Sequence, residues 1–141
     1  MHVAEIWRYP VKSLRGERLD ETELLDGGIP GDRVVHVRAP SGGRIVTSRI
    51  RPRLLALAGT LGADGEPLID GRSWRDPASL RAVREATGAE VDLYRYEGLD
   101  RFDVLPLSIA TDGAIAALGV DGRRLRPNIV VADVEGLAER E

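Results

Sequence analysis

Apolar residues in the first two-thirds of the chain fall in short runs, each stopped by proline or glycine, and this spacing predicts strands. Residues 3–9 read as a strand ended by Pro10, which has no amide hydrogen to offer a ladder. Residues 18–25 are strand-like, after which Gly27-Gly28 and Pro30-Gly31 force turns. Residues 34–38 and 45–48 flank Ser41-Gly42-Gly43, a hairpin signature. An apolar strand is expected over 54–61, and another at Leu68-Ile69 ahead of a turn at Asp70-Gly71.

The period changes at Asp76. That residue is placed to cap a helix with Pro77 at its first position, and Leu80, Val83 and Ala86 recur on one face until Gly88. Residues 91–96 alternate as a strand, and 105–110 form another. Thr111 or Asp112 then caps a short helix ending near Gly119, and a buried-looking strand covers 129–131. Short strands, glycine turns and few helices predict a mainly β chain of the α+β class, built as a small barrel or sandwich.

Composition narrows the functional range. At 141 residues the chain suits one domain or two very small ones. A charged fraction of 30% against 43% hydrophobic residues is a soluble balance without the signature of disorder. The net charge of −3 argues against a general polyanion binder. With no cysteine there is no disulfide, thiolate nucleophile or thiolate metal ligand. His2 and His36 alone offer little to an imidazole zinc site or a Ser-His-Asp triad. No apolar run reaches the length of a membrane span and no signal-peptide pattern opens the chain, so the cytoplasm is the expected compartment.

Lysine usage is the first chemical signal. Lys and Arg total 20, and Lys12 in "YPVKS" is the only lysine, leaving 19 arginines. An ammonium is a compact, flexible point charge, whereas a guanidinium is a rigid fork. Phosphate contact, Schiff-base chemistry and a plain surface charge are all open to Lys12. Taken alone, Lys12-Ser13 reads as a solvated turn. "GDR" at Gly31-Asp32-Arg33 reads as a turn followed by an edge charge. In "RLRPNIV", Pro127 pushes Arg126 toward an extended backbone and sets it beside Asn128 as a rigid donor pair. That pair suits an anionic or heterocyclic ligand, and an ion pair with Asp133 or Asp121 is the plainer use. The basic run "RIRPR" at 49–53 lacks an aromatic stacking platform, so nucleic acid is not expected as a partner.

In order along the chain, "IWRYPVKSLRGE", "GIPGDR", "TSRIRPRL", "LPLSIATDGAIAAL" and "RRLRPNIVV" resemble the MOSC-domain family, named for the C-terminal domain of molybdenum cofactor sulfurases. The branch most similar joins an N-terminal β-barrel to a MOSC domain, and includes the amidoxime-reducing components and YcbX-like relatives. The resemblance implies a small β-barrel-like architecture, with residues 1–100 as the N-terminal barrel region and 101–141 as the start of an incomplete MOSC domain.

It also implies binding of the molybdenum cofactor (molybdopterin). The matching contact positions are Lys12, Ser13, Arg33, Ser108, Thr111, Arg126 and Asn128, with no catalytic residue or metal ligand among them. The implied activity is reduction of N-hydroxylated or related oxidised small molecules, with electrons from separate redox proteins and no membrane or nucleic-acid partner. In that branch a cysteine downstream of "RPNIVV" binds molybdenum. This sequence has none, so it is expected to be either an N-terminal portion of a longer protein or a shortened homologue, with little reductase turnover alone, that self-associates through the C-terminal strand 129–131. A noncatalytic carrier of a pterin or phosphorylated ligand is the second reading, and pyridoxal phosphate on Lys12 ranks below both.

Overall fold

The computed structural model describes residues 1–98 and 101–136. Two units divide the chain, one of Met1–Trp7, Arg18–Pro30 and Val104–Glu141, the other of Arg8–Glu17 and Gly31–Asp103. Among the described residues the chain is mainly strands with three short α-helices, as the turn spacing predicts, in three separate sheets. No helix among them is long and apolar enough to cross a membrane.

In the second unit, β-branched residues build the centre. Val34, Val35 and Val37 pack with Val11, Leu54 and Val83 in one buried cluster. Val35 and Val37 belong to β3 (Val35–Arg38), which pairs antiparallel with β7 (Asp92–Arg95). Here β3 is buried on both faces, so Val35, His36 and Val37 are all inaccessible. β4 (Gly59–Leu61), β5 (Pro67–Ile69) and β6 (Arg72–Ser73) form an antiparallel sheet. Its second hairpin turns at Asp70 and Gly71, whose φ values of 48° and 78° are the left-handed pair that a two-residue turn requires. α1 (Pro77–Thr87) has the expected ends. Asp76 accepts a hydrogen bond from Ala78 N, and Gly88 closes the helix at φ 62°.

In the first unit the strand order is β2 (Glu17–Leu19), β1 (His2–Arg8), β9 (Ile129–Ala132), β8 (Ile109–Thr111). β9 runs antiparallel to β1 and parallel to β8, and the parallel pair needs the crossover that α2 (Asp112–Leu118) and α3 (Gly122–Leu125) supply. A Cβ on Gly113 would lie 2.1 Å from the Val134 carbonyl oxygen, so only glycine fits at the start of α2.

Several expected strands are shorter or different. Of residues 18–25, only the start joins β2. The hairpin at 41–43 keeps one bridge, Arg38 with Ile45, and strand 45–48 does not form. The apolar run 54–61 begins in a 3-10 helix, Pro52–Ala56, where Pro52 suits a first helical turn and Leu54 is buried, and only then becomes β4. The strand expected over 105–110 starts only at Ile109, and α3 has no counterpart in the apolar pattern. The strand at 129–131 is internal, as its apolar run suggests, with β1 and β8 hydrogen-bonded on its two sides.

Candidate functional site

The segment around Lys12 is not the solvated turn that its two residues suggest alone. Tyr9, Val11, Lys12, Ser13 and Leu14 are all buried, and Lys12 is 8% exposed. Its backbone is threaded beside β3: Lys12 N donates to Val35 O at 2.8 Å, and Val35 N donates to Pro10 O at 3.1 Å. Arg15 N then donates to Leu57 O, and Gly59 N to Arg15 O. Ser13 sits at φ 75°, a left-handed conformation that costs a serine about 1–2 kcal/mol. Strain of this kind persists only where the surroundings hold it, and here hydrogen bonds on both sides do so. The Lys12 ammonium donates to Arg101 O at 2.9 Å and to Asp103 Oδ1 at 2.8 Å.

Arg33 belongs to the same unit, and it too is left-handed, at φ 54°. Arg33 N donates to Tyr9 O at 2.7 Å, and Tyr9 N donates to Asp32 Oδ1 at 2.7 Å. Asp32 is fully buried and its other oxygen accepts from the Arg33 guanidinium, which lies 5.1 Å over the Tyr9 ring. "GDR" is therefore more than a turn with an edge charge. His36 Nε2 lies 3.0 Å from Arg33 O, and with the carbonyl as acceptor that nitrogen carries the proton. Burial, with Lys12, Arg38 and Arg101 nearby, lowers the His36 pKa to about 4, so the ring is neutral at pH 7.

Arg101 completes this frame. Its Nε donates to Asp32 O at 3.1 Å and its Nη1 to Glu97 O at 2.8 Å, while the guanidinium stacks 4.1 Å from the Phe102 ring centre. Burial pushes its pKa below the usual guanidinium value. Asp103 bridges Lys12 and Arg49, its Oδ2 accepting from Arg49 Nη2 at 3.0 Å. The Lys12 hydrogen bond, with Lys12, Arg49 and Arg33 charges, holds the Asp103 carboxyl below its ordinary pKa. Lys12, Arg33, Arg49 and Arg101 thus gather against two carboxylates, Asp32 and Asp103. That donor set favours an oxyanion.

The other expected contacts, Ser108, Thr111, Arg126 and Asn128, belong to the first unit. Asn128 is fully buried, and its amide stitches backbone: Oδ1 accepts from Ser108 N at 3.1 Å and Nδ2 donates to Trp7 O at 3.2 Å. Thr111 caps α2, its hydroxyl accepting from Ala114 N at 3.0 Å. Asp112, the alternative cap, instead accepts from Asp133 N and Val134 N, and these bonds lower its pKa. Arg126 is not extended as its place before proline predicts. It is left-handed at φ 55° and ψ 47°, because it closes the single turn of α3. Of the aspartates near it in sequence, Asp121 pairs with Arg123 at 2.6 Å and Asp133 with His2 at 2.9 Å.

The sequence reading missed Asp32, His36, Arg49, Arg101 and Asp103 as members of this frame. No local pattern marks Asp103, which meets Lys12 across 91 positions. His36 left one signal, a histidine between two valines on a strand. Among the described residues no group of three His, Cys, Asp or Glu is placed to hold a metal ion.

Residues 1–105 match the family model of the MOSC N-terminal beta barrel domain, and the chain belongs to that family. The match includes Lys12, Ser13 and Arg33, whereas Ser108, Thr111, Arg126 and Asn128 lie beyond it. MOSC proteins are generally linked to the molybdenum cofactor. A comparison with curated proteins gave no match.

Proposed function

We propose that this member of the MOSC N-terminal β-barrel family holds the phosphate end of the molybdenum cofactor, in a reductase of the amidoxime-reducing or YcbX-like branch. The observation that carries this reading is the Lys12 ammonium. It is the only lysine in the sequence, it is buried, and a backbone strained at Ser13 and hydrogen-bonded to Val35 sets it among arginines. Lys12 would supply the point charge to a phosphate, Arg33 a planar donor, and Ser13 a hydroxyl. In the other unit, Ser108, Thr111, Arg126 and Asn128 match positions that contact the pterin in the resembled branch. The Asn128 amide and the Thr111 hydroxyl would have to serve a ligand in addition to the backbone bonds they already make.

When bound, the cofactor supplies two-electron and oxygen-atom chemistry toward N-hydroxylated small molecules, with separate redox proteins as electron donors and the cytoplasm as the setting. The phosphate end fits the donors of this chain. The metal end does not, because the sequence carries no thiolate. That absence favours, as the second reading, a carrier that binds the pterin or a phosphorylated ligand without turnover. A Schiff base to pyridoxal phosphate gains no support, since an ammonium engaged by a carboxylate and a carbonyl is not a nucleophile.

Calorimetry with the isolated pterin cofactor, beside a reduction assay on a hydroxylamine-type substrate, tests both readings. Lys12-dependent binding with turnover supports the reductase, and binding without turnover supports the carrier. Absence of binding overturns both.

A further inference from the structure

We propose that Asp103 is a built-in competitor: its carboxylate occupies the oxyanion position between Lys12 and Arg49 and swings out when a phosphate dianion binds. The proposal rests on the reading of Lys12 as an anion contact and adds how that contact is regulated. The first observation is geometric. The two oxygens of Asp103 are divided between two cations, Oδ1 at 2.8 Å from Lys12 Nζ and Oδ2 at 3.0 Å from Arg49 Nη2. A phosphate oxygen pair would engage two cations at the same spacing.

The second observation is the contrast in burial. The Lys12 side chain is 10% exposed, whereas those of Asp103 and Arg49 are 58% and 81% exposed. Lys12 has little room to leave, but the carboxylate reaches it from the solvent side and returns to water by side-chain rotation alone. The third concerns anchoring. Arg101 and Phe102 are buried immediately before Asp103, so the backbone is anchored there while the Asp103 side chain is 58% exposed.

Charge decides which ligands win. A carboxylate tethered beside its partners acts at high effective concentration, so a dilute monovalent anion does not displace it. Yet an exposed ion pair is weak, and a dianion offers both cations more than Asp103 does. The site is therefore selective for phosphate or a phosphomonoester over acetate or chloride. In the absence of ligand, Asp103 also keeps the buried ammonium paired.

Inorganic phosphate is the probe, titrated into wild type, Asp103→Asn, Lys12→Gln and the double variant, with circular dichroism checking each fold. Asp103→Asn is expected to tighten phosphate binding about three- to tenfold, as the loss of one weak competing pair implies, and Lys12→Gln to abolish it in both backgrounds. Because Lys12 is the only lysine, selective 13C-lysine labelling gives one Cε signal. In wild type that signal should move with phosphate and stay still with acetate. If Asp103→Asn misfolds, Asp103→Ser and this wild-type signal carry the test. Equal or weaker phosphate binding without the carboxylate, still dependent on Lys12, overturns the competitor and leaves the anion site standing. The competitor is overturned in the same way if acetate moves the Cε signal as phosphate does. Phosphate binding that is absent from every variant, or indifferent to Lys12, overturns the anion site and the competitor together.

Discussion

Lys12 Nζ lies 2.8 Å from Asp103 Oδ1, a carboxylate 91 positions further along the chain, and the same ammonium donates to the carbonyl of Arg101. The only lysine of the sequence thus ties the buried "YPVKS" segment to residues 101–103. Lys12→Gln should lower unfolding stability by about 1–2 kcal/mol, mostly by leaving the Arg101 carbonyl without its donor. The ion pair itself adds little, because Asp103 faces solvent. Lys12→Arg should recover less than half of the loss, since a planar fork is longer than the space an ammonium fills. Urea unfolding of the three proteins measures this, and full recovery by arginine would contradict it.

The neutral His36 makes stability depend on pH in a defined window. Its pKa falls from 6.5 to about 4 on folding, chiefly through burial. Between these values the unfolded chain binds a proton that the folded chain does not. Stability is therefore complete above about pH 6.5 and declines as pH falls toward 4, by up to about 3 kcal/mol. The depressed carboxyl of Asp121, at about 2, acts only below that window. Denaturation midpoints measured from pH 7 to pH 4 should slope in wild type and be flatter in His36→Gln.

Asn128 should matter to the sheet before any ligand is present. Asn128→Ala removes the partner of Ser108 N and one acceptor–donor contact at Trp7 O, at a cost of about 1–3 kcal/mol. Asn128→Asp keeps the acceptor but loses the donor, and places carboxylate charge against the Trp7 carbonyl. Hydrogen exchange should speed up at the Ser108 amide in Asn128→Ala and stay slower in Asn128→Asp, which keeps its acceptor. Unchanged exchange there would mean that the amide bonds contribute nothing to the strand.

The ends of α1 provide a local control. Asp76→Ala should cost about 1 kcal/mol through loss of the bond to Ala78 N. Gly88→Ala should cost about 1 kcal/mol, because its φ of 62° disfavours a side chain although no atom crowds the site. Thermal unfolding of both single variants and the double should give nearly additive losses, since the two ends share no partner.

What the linear chain determined by itself was local. Pro10 ended β1, Asp76, Pro77 and Gly88 bounded α1, Thr111 and Gly119 bounded α2, and Asp70-Gly71 made its turn, each because one residue restricts its own backbone. The spacing of these stops also made the chain mainly β. The oddity of a lone lysine was likewise visible, and it marked the centre of the candidate site.

Tertiary structure alone decided the rest. The 3-10 turn at Pro52–Ala56 replaced a strand because burial of Leu54 outweighed a weak local strand preference. Arg126 took a left-handed backbone because α3 needed closing, against the ordinary preference before proline. β9 is inner, as its apolar run suggests, but only folding chose β1 and β8 as the strands on its two sides. Above all, Arg101 and Asp103 meet Lys12, Arg49 meets Asp103, and Arg101 meets Asp32 through pairings distant in sequence. A charge is read from one letter, but its partner and its burial depend on which strands cross. Only the folded chain fixes those crossings.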